Sequence, residues 1–70
     1  MAPIKDGFSA GEKIDILRKR RGWTLIELGE KVHFSESTAA RIVRGERTIS
    51  PDELALFARV LEVDVDVLRS

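Results

Sequence analysis

One predicted helix in this sequence, spanning about residues 36–44, carries side chains suited to molecular recognition. Its polar or small side chains fall on one face: Glu36, Ser37, Ala40, Arg41 and Arg44. A guanidinium such as that of Arg41 can donate two hydrogen bonds to guanine, and a carboxylate such as that of Glu36 can accept one from cytosine. Ser37 can bond to several bases, and Ala40 can touch a thymine methyl group. This face suits the reading of DNA bases, although any amphipathic surface helix also shows a polar side.

The sequence offers little for catalysis. Its single histidine, His33, lies in a predicted turn, and it has no cysteine. No cluster of residues has metal-ligand spacing, and neither a phosphate-binding glycine loop nor a nucleophile elbow is present. A helical domain of 70 residues is also small for a ligand pocket, which usually measures about 300–1,000 Å³. We expect no enzymatic activity, no cofactor and no metal.

The helices that position these residues can be located from their ends. Four hydroxyl residues are predicted N-caps: Ser9, Thr24, Ser35 and Ser50. All but Ser35 precede a glutamate by three positions, which is the capping-box pattern. The glycines at 22 and 45 stand where a left-handed residue ends a helix, and apolar side chains recur at helical spacing in between. The predicted helices span about residues 10–21, 25–31, 36–44 and 51–61.

These elements predict an all-α fold, a compact bundle of four to five short helices over residues 10–70, with an N-terminal arm over residues 1–9. The tail is ambiguous, because residues 63–67 alternate valine and aspartate as a strand does. Asp64 can instead cap a last helical turn. We favour a helix at about 64–69, since an all-helical domain offers no sheet for a strand to join. The predicted core comprises Ile14, Leu17, Leu25, Leu28, Ala39, Ile42, Val43, Leu54, Phe57, Ala58 and Leu61, closed by Trp23, Val32, Phe34 and Ile49.

The second and third predicted helices are joined by only three residues, 32–34, before the cap at Ser35. Two short helices that cross over such a turn are typical of the helix-turn-helix motif. In that motif the second helix of the pair enters the major groove of DNA, and the first crosses the sugar-phosphate backbone. Backbone N–H groups near Thr24 can then bind a phosphate, because the positive end of the helix dipole lies there. Arg44 and Arg47 flank the end of the recognition helix, where they can hold neighbouring phosphates.

Charge is balanced overall but unevenly distributed. The sequence has 12 basic and 12 acidic residues, which argues against a non-specific nucleic-acid coat protein. Five bases lie between Lys13 and Arg21, and five acids lie between Asp52 and Ser70. One end of the domain can therefore face phosphates while the other avoids them, although ordinary solvated helix faces would show the same pattern.

The spacing of motifs over residues 11–69 resembles the Xre/Cro/CI family, the lambdoid-repressor-like regulators of phages and bacteria. Four segments carry the resemblance: Gly22–Val32, Ser35–Gly45, Arg47–Leu54 and Leu61–Leu68. The resemblance implies a five-helix domain of a transcriptional regulator that binds operator DNA, usually as a dimer and typically as a repressor.

The family's pattern also implies roles for individual residues. The base-reading positions are Ser35, Glu36, Ser37 and Arg41, and the phosphate-binding positions are Thr24, Thr38, Arg44 and Arg47. Members of the family often have a glutamate at the position of Val43, which pairs with an arginine at the position of Arg18. Because valine cannot form that pair, Arg18 is a further phosphate candidate, left to reach either DNA or another acid.

The expected partners are double-stranded operator DNA and a second copy of the chain, because one module of this size buries only about 600–1,000 Å² on DNA. The apolar residues of the tail and the outer face of the fourth helix are candidates for the dimer contact, or else the tail residues complete the core of the monomer; these residues are Val63, Val65, Val67 and Leu68. Two other interpretations stay open: a protein-interaction module such as an antitoxin or anti-regulator, and the N-terminal domain of a longer regulator. The sequence has no apolar run typical of a signal peptide or a membrane span, so we expect it in the cytoplasm.

Overall fold

Five α-helices and no strand make up residues 8–69, the part of the chain that this computed structural model describes. In chain order they are α1 (Ala10–Arg20), α2 (Leu25–Val32), α3 (Glu36–Val43), α4 (Pro51–Val60) and α5 (Val65–Arg69). The all-α prediction is confirmed, and α1 to α4 begin at the predicted residues and end within one residue of the predicted bounds. The tail is helical, and its cap forms as expected: Asp66 N–H donates to the Asp64 carboxylate at 3.1 Å.

The helix ends follow their local sequences. Each predicted N-cap accepts a hydrogen bond from the backbone N–H three positions on: Ser9, Thr24, Ser35 and Ser50. Both predicted helix-ending glycines are left-handed, with φ of 72° at Gly22 and 75° at Gly45. His33 and Glu62 are also left-handed, with φ of 63° and 58°. The sequence does not signal these two, because this conformation costs a residue with a side chain roughly 1–2 kcal/mol.

The core is one cluster of buried apolar side chains, to which all five helices contribute. Its members are Ile14, Leu17, Leu28, Val32, Ile42, Val43, Phe57, Ala58, Leu61 and Leu68, and Ala39 is buried as well. Trp23, Phe34 and Ile49 pack against it from between the helices, as predicted, and Leu25 and Leu54 are likewise half-buried against it. Within this cluster α3 packs against both α1 and α2, which fixes one side of α3 to the rest of the domain.

Two glycines let helices approach their neighbours more closely than the apolar pattern predicts. Gly11 of α1 lies against the backbone of α3, and a Cβ at this position would collide with the carbonyl oxygen of Ile42. A Cβ on Gly29 of α2 would lie 2.5 Å from the carbonyl oxygen of Phe34 in the following turn. Because any side chain would push these segments apart, Gly11 and Gly29 determine how closely α3 packs on α1 and α2.

One basic residue does not lie where the charge pattern places it. Lys13 is only 2% exposed, so it does not belong to the basic surface predicted for residues 13–21. The exposed bases of this segment are Lys19, Arg20 and Arg21, at the end of α1. The basic surface is therefore smaller than the sequence suggests.

The described residues do not include the whole chain. The predicted N-terminal arm, residues 1–9, lies outside them except for Phe8 and Ser9, and so does Ser70. Between residues 8 and 69, no helix combines the length and the apolar character that crossing a bilayer requires.

Candidate nucleic-acid interface

The turn between α2 and α3 is tight and is anchored in the core. His33 ends α2 in the left-handed conformation, and Phe34 N–H donates to the carbonyl of Gly29 at 2.8 Å. The Phe34 ring then meets the ring of Phe57 edge-on, with a centroid distance of 6.0 Å. Since Phe57 belongs to α4, the turn is held from two sides. These contacts set the angle between α2 and α3.

The polar face of α3 is accessible along its length. The buried side chains are Ala39, Ile42 and Val43, and the exposed ones are Glu36, Ser37 and Arg41. Thr38 and Ala40 lie at the border and are half-buried. Within the described part of the chain, the Arg41 guanidinium has no hydrogen-bond or ion-pair partner. All five of its N–H donors are therefore available to an external acceptor.

The start of α3 uses one predicted base-reading side chain for its own cap. The Ser35 hydroxyl accepts a hydrogen bond from Thr38 N–H at 3.2 Å and donates one to the Thr38 hydroxyl at 3.1 Å. Ser35 is exposed nevertheless, so its oxygen can still be approached from outside. The next two residues, Glu36 and Ser37, take no part in this cap, which Ser35 and Thr38 form between them.

The start of α2 is closed by a capping box. The Glu27 carboxylate accepts from Thr24 N–H at 2.9 Å, and the Thr24 hydroxyl accepts from Glu27 N–H at 3.1 Å. The hydrogen bond from the Thr24 backbone lowers the pKa of Glu27, so the carboxylate is ionised. The next N–H groups, of Leu25 and Ile26, have no acceptor inside the helix. They are the groups that can bind a phosphate at this end.

Arg44 and Arg47 both pair with carboxylates after α3. Arg44 contacts Glu46 through Nε–Oε2 at 3.0 Å and Nη2–Oε1 at 3.4 Å. Arg47 donates two hydrogen bonds to Glu53, from Nη2 to Oε2 at 2.8 Å and from Nη1 to Oε1 at 3.0 Å. The same guanidinium lies 5.4 Å from the centre of the Phe34 ring. The hydrogen bonds from Arg47, with one from Ser50 N–H, lower the pKa of Glu53 to about 2. Neither arginine presents an unpaired charge.

Arg18 lies inside the domain surface and has the acid partner. Its Nη2 and Nε donate to Asp15 at 2.7 and 3.0 Å, and its Nη1 donates to the Trp23 carbonyl at 2.6 Å. Burial acts to raise the pKa of Asp15, but hydrogen bonds from Arg18 and Lys19 outweigh it and the pKa is lowered. The Arg18 side chain is only 13% exposed. Of the two roles left open by the sequence, the structure shows the pairing with an acid, and the phosphate role stays a prediction.

Sequence reasoning names the arginines of this surface but does not predict which carboxylates pair with them. For Glu46 a signal exists, because it stands two residues after Arg44 in the same exposed loop. For Glu53 the capping box is predicted, yet its second role as the partner of Arg47 depends on how the loop folds back on α4. No pattern in the sequence indicates that second role.

Comparison with known proteins places this arrangement in a family. The sequence model of a helix-turn-helix family matches residues 14–68, most of the chain. The chain belongs to the helix-turn-helix family of the Xre/Cro/CI type. This family and the structural neighbours described next are DNA-binding transcriptional regulators and not enzymes. A search of curated protein sequences found no match.

Several solved structures share the fold. The biofilm master regulator SinR, solved in complex with DNA, is 32% identical with a TM-score of 0.79, and the match covers 87% of this chain and 98% of that chain. SinR in its complex with SinI is 33% identical with a TM-score of 0.73, over 84% of this chain and 58% of that one. The P22 c2 repressor, bound to a synthetic operator, is 24% identical with a TM-score of 0.79, over 87% and 92%. At that identity the P22 match shows the common fold alone.

Proposed function

We propose that this protein is a sequence-specific regulator of transcription, a repressor, that binds operator DNA with α3 in the major groove. The observation that carries the proposal is the exposed face of α3, where Arg41 has five unused donors. The opposite face of this helix packs against α1 and α2. SinR, the relative at 32% identity, was solved on DNA. A guanidinium without an internal partner, held on a rigid helix, suits bidentate recognition of guanine.

Individual roles follow from where each side chain lies. The base-reading residues in this proposal are Ser35, Glu36, Ser37, Ala40 and Arg41. The phosphate-binding groups are the N–H groups that follow Thr24, the hydroxyl of Thr38, and Arg44, with Arg47 at the edge of the contact. We leave Arg18 out, since Asp15 and the Trp23 carbonyl occupy its guanidinium.

The proposal includes a homodimer. Two α3 helices about 34 Å apart would enter successive major grooves on one side of the duplex. The apolar residues of the tail divide between the core and the surface: Leu68 is buried in the core, Val63 and Val65 are half-buried, and Val67 is exposed. Val67 and the outer face of α4 are the proposed contact. Sedimentation at micromolar concentration, with and without operator, tests this, and a monomer under both conditions contradicts it.

The experiment that tests DNA recognition is selection of bound sequences from a random duplex pool, followed by salt titration on the selected sequence. We expect an enriched motif, and an affinity that falls steeply with salt at a slope near 0.9 per phosphate neutralised. Recovery of no motif, with binding that does not depend on salt, would exclude the proposal.

A protein-binding role is the second candidate function, and one observation favours it. Arg44 and Arg47 are paired with carboxylates and Glu27 closes α2, so the surface has less positive charge than a DNA-binding face usually has. SinR was also solved with the protein SinI. The salt titration separates the two candidates, because binding to a protein partner releases no counterions from DNA.

A further inference from the structure

Three carboxylates of the chain itself lie on or directly beside groups that are proposed to bind phosphate. Glu27 occupies the N–H of Thr24, Glu46 holds Arg44, and Glu53 holds Arg47. A phosphate must either bind beside these carboxylates or take the place of one of them. The three contacts differ in how readily that exchange can occur.

Two of the three carboxylates are part of the fold. Glu53 accepts from Ser50 N–H at 3.0 Å as the capping carboxylate of α4, in addition to its two hydrogen bonds from Arg47. The Arg47 and Glu53 side chains are 33% and 22% exposed, and Arg47 also covers the Phe34 ring. Glu27 caps α2 in the same way. Displacing either carboxylate would open a helix end.

The pair between Arg44 and Glu46 is different. Its side chains are 59% and 53% exposed, and Glu46 caps no helix. Within residues 8–69, neither side chain has a second partner. Ion pairs this exposed are weak and exchange with solvent, so a phosphate oxygen can replace the carboxylate of Glu46 on Arg44 while the fold stays intact.

We propose that the Glu46 carboxylate competes with a DNA phosphate for the guanidinium of Arg44, and that Glu46 thereby lowers the affinity of this protein for DNA of any sequence. The inference rests on the proposed function. In the free protein the carboxylate occupies the guanidinium; on DNA a phosphate takes its place and Glu46 turns into solvent. Because phosphates carry no sequence information, Glu46 weakens all sequences alike and leaves the discrimination by Arg41 unchanged. Residence on specific and on non-specific DNA is therefore shortened alike.

The test compares wild type and Glu46→Gln on a mixed-sequence duplex of about 20 base pairs, which is long enough for two half-sites. We expect Glu46→Gln to bind about two- to fivefold more tightly per domain, with a salt dependence steeper by up to about one unit of slope. Glu62→Gln is the matched control. It removes the same charge from another exposed ion pair, 3.6 Å from Arg21 beyond the far end of α4, and should leave binding unchanged.

A double-mutant cycle with Arg44→Ala shows whether the effect acts through the ion pair. If Glu46 competes for Arg44, most of the gain from Glu46→Gln disappears in the Arg44→Ala background. An equal gain in both backgrounds overturns the proposal, because the carboxylate then acts only through its charge. No gain, or weaker binding, by Glu46→Gln while wild type binds overturns it too, and leaves the proposed function standing. If no variant binds any duplex at low salt, the proposed function fails and the inference fails with it.

Discussion

The two faces of α3 meet opposite requirements. On the inner face Ile42 packs so closely on α1 that Gly11 has no room for a Cβ, whereas on the outer face Arg41 has no partner within the described residues. The comparison teaches that a recognition side chain benefits from a fixed backbone and unused donors together. A rigid helix does not have to be ordered when it binds, which reduces the entropic cost of association.

The outer face itself changes character along its length. Arg41 is unpaired, Arg44 is in an exposed pair with Glu46, and Arg47 is in a partly buried pair with Glu53. Availability for an external anion therefore falls from the middle of α3 towards α4. The guanidinium nearest α4 serves the fold, and the one on α3 is left for a ligand.

The largest effect should come from breaking the inner face. Gly11→Ala places a methyl group against the Ile42 carbonyl, and we expect a loss of about 3 kcal/mol in the free energy of unfolding. Gly45→Ala is the control: its Cβ would lie in open space at φ of 75°, so it should cost only about 1–2 kcal/mol for the left-handed conformation. Urea unfolding followed by circular dichroism measures both. Equal losses would show that the contact between α1 and α3 is not tight.

Arg41→Ala should break the outer face and leave the inner one intact. We expect discrimination between a selected operator and scrambled DNA to fall by about 1–3 kcal/mol, since a bidentate contact to guanine contributes that much. The unfolding curve should not change, because Arg41 has no internal partner to lose. Arg20→Ala removes an exposed arginine at the end of α1 instead; it is the control and should keep the preference. An unchanged preference in Arg41→Ala would remove this residue from base reading.

Ser35 both caps α3 and is a proposed base-reading residue, so replacing it should have smaller effects on both stability and DNA binding. Ser35→Ala deletes the N-cap of α3, which we expect to cost about 1 kcal/mol of stability. Ser37→Ala removes the neighbouring exposed hydroxyl but no cap, and should leave thermal unfolding nearly unchanged. The two variants separate capping from DNA contact if both are measured for stability and for binding. A stable Ser35→Ala would contradict the role of its hydroxyl in the cap.

The smallest expected effect is on the pH dependence of stability, and it comes from the ion pair between Arg47 and Glu53. Folding lowers the pKa of Glu53 from its ordinary 4.5 to about 2, so its ionised form stabilises the folded state. This contribution is fully present above pH 4.5 and is lost as the pH falls towards 2. Glu53→Gln should therefore lose less stability than wild type across that window. The free energy of unfolding of both proteins is measured from pH 5 to pH 2. An equal loss in the two proteins would contradict the pairing with Arg47.

Much of the fold could be predicted because its signals are local. An N-cap acts on an N–H three residues away and a helix-ending glycine on its own φ, so Thr24, Ser35 and Gly45 mark helix ends without knowledge of the fold. The exposed positions of α3, such as Glu36 and Arg41, follow from helical periodicity in the same way. The roles of these residues on DNA stay predictions.

The remaining features depend on segments that are distant along the chain. Lys13 is indistinguishable from an exposed lysine in the sequence, and its burial results from how α1 packs. Gly11 is an ordinary first-turn residue until α3 is laid across it. The sequence left two partners open for Arg18, a DNA phosphate or an acid of the chain. In the folded domain its guanidinium donates to Asp15 and to the Trp23 carbonyl.

Short-range hydrogen bonds and the spacing of apolar residues were thus sufficient to specify the first four helices and the outward side of α3, since each depends on neighbours within a few residues. Which guanidinium is paired and which is available, and how closely α1 approaches α3, depends on groups brought together only by folding. Ion pairs and backbone contacts require positions in space, and these exist only once the core has closed.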